Sequence, residues 1–305
     1  KAAEIMLADQ KYAEAAKWFA KAPKTQLDET AYYQYIVAEF YSGNAKNALE
    51  VARHGLQKYA GSEYLSRLAV MAAVDQNQFP EALTYSENVM RGKEQKNYND
   101  YYYYGQALAG NDKFQEAINA YNKCLELKPG EVDPLSKLSA AYAGLGDGDK
   151  ALDFQRQYLE KGTNITSTDW ANFAAIYIKM GDQVDSLDHA KAVGYYTQAM
   201  DVYEKMTEKF PTLKDWCWVA EASVALGKLK DLDKVRDLYM KVAEYEEAKA
   251  DKSDANTKNY LVAAYYFLGY YYAGKNDAET SKSYFEKLIQ IDPENAEAKK
   301  ALGLE

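Results

Sequence analysis

The sequence has few of the residues on which catalytic, metal-binding and disulfide sites depend. Among 305 residues there are two histidines, two cysteines and six prolines. Neither His54 nor His189 has cysteine or carboxylate partners at a metal-ligand spacing. Cys124 and Cys217 are predicted to be free, buried thiols, because the chain pattern puts them too far apart to form a disulfide. We therefore expect that the protein is not an enzyme and uses no cofactor.

The sequence also lacks long basic segments and long apolar segments. The chain has no long basic segment, and its formal net charge is −9. Phosphate affinity comes from clustered lysine and arginine, so this balance argues against a nucleic-acid partner. There is no apolar stretch of about 18 residues, so we expect no membrane span. The apolar residues are largely alanine and tyrosine, which is typical of closely packed helices.

What the sequence does contain is a repeated spacing of small and bulky residues. In the first clear copy the positions are held by Tyr101, Gly105, Leu108, Phe114, Ala117, Tyr121, Cys124 and Pro129. In a second copy they are held by Tyr265, Leu268, Gly269, Tyr272, Ser281, Phe285, Leu288 and Pro293. Small residues allow two helices to cross closely, and the bulky neighbours fill the space beside the crossing. One such hairpin cannot bury its apolar face alone, so consecutive hairpins are predicted to stack.

This spacing resembles the tetratricopeptide repeat family, whose unit is a helix-turn-helix of 34 residues. The resemblance implies an all-α fold, a right-handed α-solenoid of about seven to eight repeats with a C-terminal capping helix. We expect one continuous array. The predicted boundaries are a partial repeat at 1–29, repeats at 30–61, 62–97, 98–131 and 132–166, enlarged repeats at 167–212 and 213–261, a last repeat at 262–294 and the capping helix at 295–305.

Three local features refine this prediction. Asp182–Val193 is interpreted as an insertion, and the second helix of the following repeat is expected to be lengthened by the extra residues of Glu247–Asn259. The capping helix is predicted to begin with Asp292 as its N-cap and Pro293 in its first position. Because Lys1 falls inside a repeat, we also expect upstream residues: a secretory signal, a lipid-attachment segment or more repeats.

Tyrosine is unusually abundant, with 29 residues. Many tyrosines fall at the bulky core positions, among them Tyr33, Tyr101, Tyr121 and Tyr265. The resemblance places other first-helix residues on a concave groove. Those predicted to bind a ligand are Tyr35, Tyr64, Arg67, Tyr102, Gln106, Asn172, Trp218, Glu221, Tyr266 and Tyr270, and the same groove includes Tyr41, Met71, Asn99 and Tyr103.

The groove composition favours a non-enzymatic scaffold that binds a peptide or protein segment, because tyrosine gives a large contact area for little lost rotamer entropy. A clamp for a peptide's terminal carboxylate is not expected, since the lysine and asparagine that such repeats use are replaced here by residues such as Tyr102 and Gln106. Two alternatives stay open: a glycan-binding component of a bacterial cell envelope, and one module of a larger regulator. A periplasmic or envelope-associated location in a bacterium is favoured over the cytoplasm.

Overall fold

The computed structural model describes residues 2–249 and 254–304. Within these residues the chain is all-α: it forms seventeen α-helices and no strand. Contacts divide the chain into two compact units, an N-terminal unit of residues 1–162 and a C-terminal unit of residues 163–305. The all-α repeat fold predicted from the sequence is therefore confirmed. None of the helices in the described residues has the length and apolarity needed to cross a bilayer.

The N-terminal unit is a series of helical hairpins in which each helix packs against the next. Its helices are α1 (Ala2–Ala8), α2 (Tyr12–Phe19), α3 (Glu29–Tyr41), α4 (Ala45–Lys58), α5 (Glu63–Asp75), α6 (Phe79–Arg91), α7 (Tyr98–Ala109), α8 (Phe114–Leu127), α9 (Asp133–Leu145) and α10 (Gly148–Lys161). The first helices of successive hairpins also contact one another, α3 against α5 and α5 against α7. These three helices form the face on which the candidate site lies.

The C-terminal unit repeats this arrangement, and several of its helices are longer. They are α11 (Ser167–Val184), α12 (His189–Lys209), α13 (Lys214–Val224), α14 (Leu232–Glu247), α15 (Ala255–Gly274), α16 (Ala278–Ile291) and α17 (Ala296–Ala301). Helix α13 continues into a π-helical turn, Ala225–Leu229. Each helix again packs against its successor.

The two irregular stretches of the sequence are mostly absorbed by helices. The predicted insertion Asp182–Val193 lengthens both α11 and α12, leaving only a short turn between Val184 and His189. In the second stretch, α14 ends at Glu247 and α15 already begins at Ala255. The expected lengthening of α14 is therefore replaced by an N-terminal extension of α15, and residues 250–253 of this stretch lie outside the described residues.

The last helix begins later than the sequence suggested. The residue that caps α17 is Asn295, whose side-chain oxygen accepts a hydrogen bond from the Ala298 backbone N–H at 3.1 Å. The predicted N-cap, Asp292, instead accepts a backbone hydrogen bond from Asn295 at 3.1 Å. Asp292 and Pro293 thus belong to a turn before the helix, because Asn is as good an N-cap as Asp and satisfies the exposed N–H groups of α17.

Glycine residues at two helix crossings leave room for a buried tyrosine ring of the neighbouring helix. A Cβ atom built on Gly105 of α7 would lie 2.5 Å from Cε1 of Tyr121, which is 1% exposed. In the C-terminal unit a Cβ on Gly181 would lie 2.4 Å from Cε1 of Tyr196. Because these rings are enclosed, they cannot move aside for an added methyl group.

We predict that Gly105→Ala lowers the free energy of unfolding by about 1 kcal/mol. Overpacking costs about 1–3 kcal/mol, which exceeds the gain of up to about 1 kcal/mol from alanine in a helix. The matched control is Gly194→Ala in α12, since a Cβ at this exposed position would meet no atom within 4 Å. That variant should be more stable by about 0.5–1 kcal/mol. Urea unfolding that gives both variants the same sign would contradict this account.

Candidate binding cleft

A cleft of about 340 Å³ crosses the first helices α3, α5 and α7 of the N-terminal unit. We call it the Tyr64 cleft. The residues that line it are Tyr33, Tyr41, Tyr64, Arg67, Leu68, Val70, Met71, Ser86, Val89, Asn97, Asn99, Asp100 and Tyr103. Of the predicted ligand-binding residues, Tyr64 and Arg67 lie here, together with Tyr41, Met71, Asn99 and Tyr103 of the wider predicted groove.

Open tyrosine rings and buried aliphatic side chains both line the cleft. The exposed fractions of Tyr33, Tyr41 and Tyr64 are 40%, 55% and 52%. Leu68 and Val89, by contrast, are buried. Tyrosine offers a broad apolar ring with a polar tip, and such rings beside aliphatic residues are typical of recognition surfaces.

Tyr33 had been predicted to fill a core position, and that prediction is wrong. The buried residue is its neighbour Tyr32, which is 2% exposed and donates its hydroxyl to the Lys24 carbonyl at 2.8 Å. On a helix, adjacent residues point about 100° apart, so a shift of one position exchanges a core ring for a cleft ring.

An ion pair closes one side of the cleft. Arg67 donates from Nε to Oδ1 of Asp100 at 2.8 Å and from Nη2 to Oδ2 at 3.2 Å. The Asp100 carboxylate also accepts from the Asn97 backbone N–H at 3.0 Å, and the Asn97 side chain accepts from the Asp100 N–H at 3.1 Å. This reciprocal pair is the capping box that begins α7. Arg67 is therefore held by a carboxylate that is itself fixed at a helix start.

The remaining predicted residues of the N-terminal unit lie outside the cleft. Tyr35 is 3% exposed, and its ring stacks on Phe19 with centroids 5.5 Å apart. It is a core residue, because α2 covers the side of α3 on which it lies. Tyr102 is half-buried between Tyr98, at 5.7 Å, and Tyr121, at 6.3 Å, and burial raises its pKa. Gln106 is half-buried.

In the C-terminal unit the predicted residues do not share one environment. Asn172 is exposed, and Trp218 is half-buried with its ring edge-on to Tyr245 at 5.7 Å. Glu221 is buried in an ion pair with Lys234 at 2.8 Å, and burial raises its pKa. A buried, paired carboxylate offers little to a ligand, so Glu221 acts as a packing residue.

Tyr266 and Tyr270 do form an exposed aromatic pair. Their ring centroids lie 5.0 Å apart, and each residue is 41% exposed. The Tyr270 hydroxyl donates to Oε2 of Glu297 on α17 at 2.7 Å, and this hydrogen bond helps to raise the pKa of Tyr270 to about 12.

Sequence reasoning missed seven residues of the cleft, namely Leu68, Val70, Ser86, Val89, Tyr33, Asn97 and Asp100. The sequence does carry a signal for the last two, since an Asn followed three residues later by an acidic residue is a variant of the capping-box pattern. What it does not carry is the pairing of Asp100 with Arg67, which lies 33 residues away on another helix.

Both cysteines and His189 lie outside the Tyr64 cleft. Cys124 and Cys217 are free and buried, as predicted, and burial raises the pKa of Cys124 to about 12. His189 is exposed, with Nδ1 2.6 Å from Oδ1 of Asp185. Within the described residues, no group of three or more His, Cys, Asp or Glu side chains is arranged to hold a metal ion.

Comparison with known proteins agrees with the repeat pattern. Family models described as tetratricopeptide repeat match residues 262–295 and 98–131, the two segments in which the spacing is clearest. Human superkiller complex protein 3 is 21% identical over 193 residues, which make up 63% of this chain and 11% of the human protein.

Two solved structures share the fold over most of the chain. The C-terminal part of a repeat-containing protein of this family from Cytophaga hutchinsonii has a TM-score of 0.63 at 19% identity, covering 88% of this chain and 99% of that one. A tetratricopeptide repeat protein from Parabacteroides merdae has a TM-score of 0.51 at 14% identity, covering 90% and 98%. At these identities the likeness shows the fold alone.

Proposed function

We propose that this chain, a tetratricopeptide repeat protein, is a non-enzymatic interaction scaffold that binds a segment of another protein in the Tyr64 cleft. Arrays of this kind are generally scaffolds whose stacked hairpins present extended binding surfaces. The fold alone does not determine what is bound, so the proposal depends on the cleft. The observation that carries it is the set of open tyrosine rings, Tyr33, Tyr41 and Tyr64, beside buried aliphatic side chains.

The cleft has the properties that a protein segment requires. Its rings come from three successive first helices, so a ligand that lies across α3, α5 and α7 can contact all three. Each tyrosine loses little rotamer entropy when it is covered. The aliphatic lining residues are held by packing, and the Arg67–Asp100 ion pair is held by the capping box. The site is therefore largely formed before a ligand binds.

The test is the double variant Tyr41→Ala with Tyr64→Ala. Both rings are more than half exposed, so their removal should leave folding intact while it removes contact area. We expect at least about a tenfold loss of the partner captured from lysate of the source cell and quantified by mass spectrometry, because exposed aromatic anchors carry much of the binding energy at interfaces. The matched control is Trp18→Ala, an exposed aromatic residue outside the cleft. Unchanged capture by the tyrosine variant would refute the proposal.

A glycan ligand is the second candidate. The amides of Asn97 and Asn99 lie beside the tyrosine rings, and sugars are commonly held by stacking on rings and by hydrogen bonds from amides. An oligosaccharide array separates the two candidates. Array binding that disappears in Tyr41→Ala with Tyr64→Ala, without any loss of a protein partner, would favour the glycan.

A further inference from the structure

We propose that the Tyr64 cleft selects an uncharged, extended peptide segment of the partner and receives one aliphatic or aromatic side chain of that segment. This inference rests on the proposed function and specifies its ligand. It follows from the charge, the apolar lining and the hydrogen-bond donors of the cleft, taken in turn.

The charged residues that line the cleft are already paired. Among the described lining residues they are Arg67 and Asp100, which neutralise each other through two hydrogen bonds. A charged ligand side chain placed beside them would lose hydration without gaining a counterion, which is costly. A partner with an acidic or basic residue at this position is therefore disfavoured, although the net charge of the whole chain, −9, would by itself suggest a basic partner.

The apolar lining sets the kind of side chain that fits. Leu68, Val70, Met71 and Val89 come together from α5 and α6. A volume of about 340 Å³ lies at the lower end of the range of ligand pockets, about 300–1,000 Å³. This space suits one or two amino-acid side chains, and an apolar side chain would cover the exposed tyrosine rings and the half-buried Met71.

The free donors suit backbone carbonyl groups. Arg67 uses Nε and Nη2 for Asp100 and Gln95, and among the described residues its Nη1 has no hydrogen-bond partner. The Asn99 amide also has none there and is exposed. An extended peptide presents carbonyl oxygens beside its side chains, so it can accept these hydrogen bonds while its apolar side chain enters the cleft.

The experiment uses a displayed library of random peptides selected on the full chain and counter-selected on Tyr41→Ala with Tyr64→Ala. We expect the enriched peptides to share an aliphatic or aromatic residue flanked by uncharged residues. Replacing that residue with alanine in a synthetic peptide should weaken binding about 30-fold, the size of an interface hot spot. Because an uncharged ligand forms no ion pair with the cleft, the Kd should change less than about threefold between about 0.05 M and about 0.5 M NaCl.

Two substitutions of Met71, which lines the cleft, give a matched control. Met71→Leu keeps an apolar side chain in the half-buried lining and should retain binding, whereas Met71→Glu places a charge there and should abolish it. Circular dichroism establishes that both variants are folded. Equal binding by the two variants would overturn the inference.

The other outcomes separate this inference from the proposed function. Enriched peptides that share an acidic or basic anchor and still require Tyr41 and Tyr64 would overturn the inference and leave the scaffold function standing. Selection of no peptide that requires these rings would overturn both. Self-association in sedimentation experiments that is lost in the tyrosine variant would identify a second copy as the occupant and overturn the inference.

Discussion

Lys249→Met is expected to lower the free energy of unfolding by about 3 kcal/mol at neutral pH, because it leaves buried carboxyl groups without their cation. Lys249 donates from Nζ to Oε1 of Glu246 at 2.7 Å and to Oδ2 of Asp215 at 2.9 Å. Glu246 is fully buried, and Asp215 is 7% exposed. Removing one partner of a buried pair costs far more than the pair itself contributes, since the remaining charge has lost its hydration. Urea unfolding measures the effect.

The two carboxyl groups differ in how readily they bind a proton. Burial raises the pKa of Glu246 above its ordinary value of 4.5, and the neighbouring Asp215 carboxylate raises it further. Burial also opposes ionisation of Asp215, but the neighbouring Glu246 and Lys249 groups outweigh it and lower the pKa of Asp215. Glu246 therefore binds a proton more readily, and Asp215 is the carboxylate that carries the negative charge beside Lys249.

The raised pKa of Glu246 predicts how the destabilisation caused by Lys249→Met depends on pH. A raised pKa means that the folded chain binds the Glu246 proton more tightly than the unfolded chain does. The contribution of Glu246 to stability is thus fully present below pH 4.5 and is lost as the pH rises through the folded pKa. Without Lys249 the Glu246 pKa should rise further, so the destabilisation should be larger at neutral pH than at pH 4.5.

Glu246→Gln provides the control. Glutamine stays neutral at every pH, so it cannot leave a buried charge at this position. Combined with Lys249→Met, it should recover part of the lost stability and reduce the pH dependence. A loss of less than about 1 kcal/mol for Lys249→Met, or an equal loss at acidic and neutral pH, would show that the cluster is not held by this charge pairing.

Tyr121→Ala should cost about 4 kcal/mol, the usual range for removing an enclosed aromatic ring being about 3–5 kcal/mol. Tyr121 is 1% exposed and fills the space beside Gly105, where α7 and α8 cross. Its loss leaves a cavity that rigid neighbouring helices cannot close. Hydrogen–deuterium exchange should show reduced protection throughout α7 and α8.

Two further variants isolate the ring from the rest of the side chain. Among the described residues the Tyr121 hydroxyl has no hydrogen-bond partner, and burial raises its pKa, so Tyr121→Phe should cost less than about 1 kcal/mol. Gly105→Ala destabilises the normal chain but should stabilise the Tyr121→Ala chain, because its methyl group then enters the cavity. If the two substitutions have additive effects on the free energy of unfolding, the Tyr121 ring is not what excludes a side chain at position 105.

The helices and their crossings could be predicted because their causes are local in the sequence. The spacing of Gly105 and Tyr121 indicates a close crossing, and both residues belong to one hairpin. The extensions of α11, α12 and α15 were less predictable, because an insertion can form a loop or a longer helix, and packing of the added turns decides between them.

The cleft was predicted only in part. Tyr64 and Arg67 lie in it as residues of the expected face. In the run of tyrosines on α7, however, Tyr103 lines the cleft while Tyr102 packs against Tyr121. Helical geometry says that the two rings point about 100° apart, but it does not say which direction the neighbouring hairpin leaves open.

The sequence by itself therefore determined the all-α repeat fold, the positions of its close helix crossings and the excess of tyrosine on the first helices. The tertiary structure alone decided which tyrosines are free to meet a ligand, since that depends on whether another helix covers them. Tyr35 is covered by Phe19, whereas Tyr64 is 52% exposed. It also decided that the charge of Arg67 is paired, because Arg67 and Asp100 come together only when α5 and α7 pack side by side.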